Sequence, residues 1–256
     1  MQLQDPGRAL RTDQNGYRRM FVTTRAILLR AIRHGDAKAV LTLWTERHGM
    51  CTGVTRIGVK RGASASQLLP LGRLEVIIGE RLDREIQVIR ELRVEIPFSR
   101  IHADPVRAAL ALFVQEVLYR ALRSHGADHP LTGFLYEALA VLDGSDELGH
   151  FPILFLLGLA DKLGFGPEPQ WHEGDRFDPV EGQFVGGAVP HGHTLDEFHS
   201  AALASMLGVP IHGGHTCRLS RQTRRAMLDH LLLYFRIHLD GMGELRSPAM
   251  LHQALN

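Results

Sequence analysis

Between Phe21 and Pro97 the chain is a series of short β-prone runs separated by glycine-bearing turns, and beyond Ser99 its apolar period switches to that of helices. A chain patterned this way closes a small antiparallel barrel first and packs helices afterwards. Five strands are predicted. The first covers residues 24–33 and meets the turn His34-Gly35-Asp36, where glycine supplies positive φ. The second, 39–45, puts Val40, Thr42 and Trp44 on one face and Leu41 and Leu43 on the other. A turn at His48-Gly49 leads to the third, 51–59, in which Gly53 and Gly58 mark a bulge or a bend. The run Lys60-Arg61-Gly62-Ala63-Ser64-Ala65-Ser66 is a small, polar, basic loop that cannot pack a core. Strands 74–79 and 86–94 then flank the hairpin Glu80-Arg81-Leu82-Asp83-Arg84.

Asp104 followed by Pro105 is a cap-then-proline start for a helix whose Val106, Leu110, Phe113, Val117 and Ala121 recur at helical spacing. Further helices are expected at 131–142, stopping before Gly144, and at 151–163, apolar nearly all round and therefore central. Thr194 and Glu197 have capping-box spacing for a helix to Leu207, with Gly208 as its stop. Ser220 opens another to about Leu239, and Ser247-Pro248 a last short one to Leu255. Residues 166–193, rich in Pro, Gly and acids, read as an irregular insertion or a small hairpin, and residues 1–19 as a disordered leader with Met20 a candidate start. The expected organisation is thus a leader (1–19), a barrel domain (20–99) and a helical domain (100–256), an α+β arrangement of two domains in 256 residues.

Composition excludes several classes. Hydrophobic residues at 45% and charged residues at 22% supply an ordinary globular core. The longest apolar run, residues 151–160, is about half of the ~20 residues that cross a bilayer, and no secretory h-region is present, so a cytoplasmic protein with no membrane association is expected. Cys51 and Cys217 are too far apart and too few for a disulfide framework. The net charge of +1 conceals a division: residues 1–100 hold 18 Lys+Arg against 10 Asp+Glu, and the rest 11 against 18. A charge of +8 on the barrel half suits a polyanion.

The cations near strand ends and in loops, Arg30, Arg33, Lys38, Arg56, Lys60, Arg61, Arg81 and Arg84, are the candidate DNA-binding residues. Trp44 is the candidate for base stacking, with burial in the barrel as its alternative. Phosphate contacts of this kind give single-strand affinity a log–log salt slope of about −0.7 per phosphate neutralised. Histidines crowd the second half, at His172, His191, His193, His199, His212 and His215, but His191-Gly192-His193 and His212-x₂-His215-x-Cys217 lack regular zinc spacing. No P-loop, dinucleotide, nucleophile-elbow or zincin string occurs, and the acids Asp143, Asp146 and Glu147 suit a solvated helix end, so no catalytic centre is expected.

Several strings taken in order resemble the RecO family. They run from Ala26-Ile27-Leu28-Leu29-Arg30 with His34-Gly35-Asp36, through Leu43-Trp44-Thr45-Glu46 with His48-Gly49 and Leu69-Pro70-Leu71, to Pro97-Phe98 and Glu116-Val117-Leu118-Tyr119. Leu163-Gly164-Phe165-Gly166-Pro167, His238-Leu239-Asp240-Gly241 and Glu244-Leu245-Arg246-Ser247 continue the series. The resemblance implies an N-terminal OB-fold, a helical C-terminal domain and a role as a recombination mediator in the DNA damage response. It implies binding of single- and double-stranded DNA, strand annealing, and assistance to RecA together with RecR on strands coated by single-strand-binding protein. It also implies recognition of that protein's acidic C-terminal tail by the helical domain, for which Arg120, Arg123, Arg218, Arg221, Arg224 and Arg225 are the candidate cations. Many relatives carry a four-cysteine zinc module; here Phe177-Asp178-Pro179-Val180-Glu181-Gly182 stands in its place, so neither zinc nor another cofactor is expected.

Two rival readings survive the residues alone. A protein-binding adaptor would use the basic barrel to grip an acidic partner, and would show no oligonucleotide binding. A hydrolase using the histidine-rich segment would contain metal.

Overall fold

The computed structural model describes residues 9–12, 18–35, 37–58, 64, 67–80, 85–123, 125–187 and 192–248. It divides into two compact units, Met1–Ser99 with Leu122–His129, and Arg100–Ala121 with Pro130–Asn256.

The first unit is built on β1 (Ala9–Thr12), β2 (Arg18–His34), β3 (Lys38–Thr45), β4 (Gly49–Arg56), β5 (Arg73–Glu80) and β6 (Ile86–Ile96). The order is β1-β2-β3-β4-β6-β5, and β2 also pairs with β5, so five strands close on themselves. Among the described strands of this sheet only β4 and β6 run parallel, through Thr52, Gly53 and Val54. This is the small five-stranded barrel expected from the alternation, and the OB-fold that the family resemblance implies. Its interior holds Val22, Ala26, Leu28, Ala39, Leu41, Leu43, Leu74, Val76, Ile78, Ile89 and Leu92. Gly53 faces inward, where a Cβ would fall 2.6 Å from the Ile89 side chain, so only glycine lets β4 and β6 approach there. Between Leu28 and Arg30 the β2–β3 register shifts, a bulge at Leu29 that re-aims the rest of the strand.

The leader expectation is corrected: Ala9–Thr12 pairs antiparallel with Arg18–Phe21, while residues 1–8 and 13–17 lie outside the described residues. A four-residue strand on the flank of a barrel is held by backbone hydrogen bonds and needs no apolar period, so pattern reading misses it.

The helical unit contains α1 (Pro105–Ala121), α2 (His129–Gly144), α3 (Phe151–Lys162), α4 (Glu197–Ala204) and α5 (Arg221–His238). Asp104 caps α1, accepting from the Val106 and Arg107 amides at 2.8 and 3.1 Å. The hydrogen bond from the Arg107 amide leads the causes that hold its carboxyl below the ordinary value. Arg107, itself buried, donates to the carbonyls of Leu142 and Ser145, satisfying the C-terminal end of α2. Helix α3 is buried on all sides over its first two turns, Phe151 to Leu157. Ser220 caps α5 as expected. For α4 the cap is Asp196, not Thr194: the Leu195 amide donates to the Phe177 carbonyl, which holds that stretch against a strand instead of in a helix. Strands β7 (Arg176–Asp178) and β8 (Gln183–Val185) form a hairpin in the insertion. A 3₁₀ turn, Ile211–Thr216, precedes α5, and the helix expected beyond Ser247 extends outside the described residues.

Candidate nucleic-acid interface

Strand pairing gathers the barrel cations. His34 stands opposite Lys38, and Lys38 opposite Arg56, so three basic side chains form one row across β2, β3 and β4. Two residues along, Ile32, Val40, Val54 and Val88 make a second row across β2, β3, β4 and β6. Two further on, Arg30, Thr42, Thr52 and Ile86 make a third. Leu41 and Leu43 fill the barrel, so alternation sends all three rows to its outer face. The outermost rows lie about 13 Å apart at ~3.3 Å per residue. Lys38 and Arg56 therefore border an aliphatic ridge on one side, and Arg30 on the other. Arg33 is also exposed but has the opposite phase, facing away from this patch. Among the described residues Arg33, Lys38 and Arg56 make no ion pair. Lys60, Arg61, Arg81 and Arg84 lie outside the described residues.

Trp44 shares the outer phase of Lys38, Val40 and Thr42, yet it is fully buried. The segment Leu122–His129 covers it: the His125 ring lies 6.0 Å from the indole, and the His125 carbonyl accepts from the Met50 amide at 3.1 Å. At Gly49, with φ +69°, a Cβ would fall 2.3 Å from the Gly126 carbonyl carbon, so the contact requires glycine. The expectation that Trp44 stacks on bases is therefore corrected.

Elsewhere on the barrel several basic side chains lie beside carboxylates. Arg25 and Arg73 reach Glu95 at 3.1 and 3.9 Å, and Arg47 and His48 reach Glu80 at 2.9 and 3.3 Å. Burial outweighs Glu80 at His48 and lowers its pKa.

The candidate partner-binding arginines separate into two kinds. Arg120 is engaged within the helical unit, donating to Glu116 at 2.9 Å and to the Met242 carbonyl at 2.9 Å. Arg123 lies beyond the end of α1, in the segment that belongs with the barrel, and so does not share a helix face with Arg120. By contrast Arg218, Arg221, Arg224 and Arg225 cluster at the start of α5, and no acidic residue occurs from Phe198 to Leu228. The Arg218 guanidinium donates to the His215 and Cys217 carbonyls, and that of Arg224 to the Leu219 carbonyl. These bonds fix the two groups without neutralising them. Burial, followed by the charges of Arg224 and Arg218, lowers the pKa of His150 beside them.

Phe177 is buried, its ring 5.6 Å from Tyr234, and the Asp178 carboxylate accepts from the Val180 and Glu181 amides of its own hairpin. Aromatic packing and a carboxylate-capped turn thus hold this part of the insertion together. Among the described residues no three His, Cys, Asp or Glu side chains gather as a metal site, and no helix is long and apolar enough to cross a membrane.

A closed five-stranded barrel followed by a helical unit defines an OB-type barrel protein with a helical second domain. The family profile for "Recombination protein O N terminal" matches residues 20–98, and that for "Recombination protein O C terminal" matches residues 102–248. The chain belongs to the RecO family. It is 32% identical over 245 residues to the "DNA repair protein RecO" of Porphyromonas gingivalis, covering 91% of this chain and 98% of the relative. It is 26% identical over 238 residues to that of Christiangramia forsetii, covering 91% and 99%. Against that of Flavobacterium psychrophilum the identity is 24% over 241 residues, covering 93% and 100%.

Proposed function

We propose that this chain is a non-enzymatic DNA-binding mediator of recombinational DNA repair. It acts in the cytoplasm at the nucleoid, where it binds and anneals single-stranded DNA. With RecR it assists RecA loading on strands coated by single-strand-binding protein. The observation that carries the reading is the row of His34, Lys38 and Arg56: Lys38 and Arg56, placed side by side across adjacent strands, repel, an arrangement that a bound polyanion relieves. The membership of both halves in the family, whose relatives are named as DNA repair proteins, supports it independently. The four arginines at the start of α5 suit the acidic tail of single-strand-binding protein, because two are held rigidly by carbonyls and the stretch contains no competing acid. The reading requires neither zinc nor another cofactor.

Fluorescence anisotropy with a labelled oligonucleotide across a salt series tests it, alongside annealing of complementary strands with and without single-strand-binding protein. Expected is binding that weakens steeply with salt, with a log–log slope of about −0.7 per phosphate engaged. Salt-independent binding would remove the phosphate-contact reading, and no binding would favour the adaptor reading instead.

A further inference from the structure

Proteins that hold single strands through this kind of barrel ordinarily seat bases on aromatic rings. Here the barrel strands β2 to β6 contain two aromatic residues, Phe21 and Trp44, and both are buried. An Arg90 guanidinium lies over the Phe21 ring, 5.6 Å from its centroid. What the outer face exposes instead is aliphatic: Ile32 at 46%, Ile86 at 50% and Val88 at 38% of full exposure, joined across the strands by the half-buried Val40 and Val54. A contiguous apolar ridge exposed on a barrel marks a contact surface.

We infer that the ridge formed by Ile32, Val40, Val54, Val88 and Ile86 is the base-contacting platform of the DNA site, carrying unpaired nucleobases while Arg30, Lys38 and Arg56 take the flanking phosphates. The inference rests on the DNA-binding reading above and adds to it a preference for unpaired bases. Charge complementarity selects the occupant. A second copy meeting this face with its own would oppose cations to cations across the contact. Duplex DNA offers phosphates to the border cations but keeps its base faces stacked inside, beyond the reach of a flat ridge. A single strand presents both the anionic backbone and apolar base faces. Because van der Waals contact with an aliphatic surface does not read hydrogen-bond patterns, the platform tolerates any base sequence.

The test compares an intact oligonucleotide with one of equal length in which the central nucleotides are abasic, using the full chain and two variants. Ile32→Ser with Val88→Ser alters exposed positions only, and Lys38→Ala removes one border cation. The wild-type chain is expected to bind the intact strand about five-fold or more tighter than the abasic one, from the apolar area withdrawn from water. The serine variant should lose that difference while keeping its affinity for the abasic strand. Lys38→Ala should weaken both strands equally and lower the salt slope. Equal affinity of the wild-type chain for intact and abasic strands overturns the platform while leaving phosphate binding in place. Binding of neither strand sinks the DNA reading itself. A serine variant that changes the sedimentation coefficient and not the intact-to-abasic ratio assigns the ridge to self-association and also overturns the inference.

Discussion

Lys38 and Arg56 stand directly opposite one another across β3 and β4, with no carboxylate paired to either among the described residues. Like charges in register weaken a sheet. Lys38→Glu should therefore create a cross-strand pair with Arg56 and stabilise the barrel by a few tenths of a kcal/mol, up to about 1. The same change should reduce oligonucleotide affinity, since it removes one cation and neutralises another. Chemical denaturation and anisotropy on one preparation measure both. A variant that is more stable and still binds as tightly would show that the row has no part in DNA contact.

Trp44 predicts the opposite pattern. Buried under His125, it should be insensitive to DNA, and in a Trp171→Phe background its fluorescence should stay constant through an oligonucleotide titration. Trp44→Ala should cost about 3–5 kcal/mol of stability, as expected for emptying a large buried site. Quenching of Trp44 by DNA would place the ring in contact with bases.

Glu116 accepts from the Arg246 amide, the Ser247 amide and hydroxyl, and the Arg120 guanidinium. Burial pushes its carboxyl up, but these hydrogen bonds outweigh burial and leave its pKa below the ordinary value. A carboxyl depressed in the folded state contributes stability that is present above its unfolded pKa of about 4.3 and is lost as pH falls through the folded value. Glu116→Gln should destabilise the helical unit by about 1–3 kcal/mol at neutral pH. It should also remove that part of the acid sensitivity. An unchanged melting temperature across pH 7 to 3 would show that the ties are inconsequential.

Four histidines give a second pH window. Burial is the leading cause that lowers the pKa of His48, His102, His150 and His230, and at His150 Arg224 and Arg218 add to it while Glu147 opposes. A base depressed on folding binds more protons when unfolded, so stability is complete above about pH 6.5 and declines as pH falls below it. Melting temperature should accordingly drop between pH 7 and 5. His150→Gln should shallow the drop. Stability that rose on acidification through this range would contradict the sign.

The barrel and most helix ends were legible because alternation and caps are local: Asp104-Pro105 and Ser220 start α1 and α5 where the residues indicated. What escaped was non-local. Trp44 has the outward phase of Lys38, and nothing near it in sequence shows that Leu122–His129 returns to cover it. Arg120 reads as a free surface cation unless its i,i+4 partner Glu116 is weighed, and the Met242 carbonyl lies far along the chain. The bulge at Leu29 decides that Arg30 joins the patch while Arg33 leaves it, and a one-residue shift of register of that kind carries no compositional signature.

The return of Leu122–His129 to the barrel also bears on how the protein can be cut. A fragment stopping at Ser99 would strip the indole of its lid and leave the Met50 amide without its acceptor, so it should aggregate or melt early. Grafting the eight-residue lid back through a short linker, with α1 omitted, is the cut that the chain's own path prescribes.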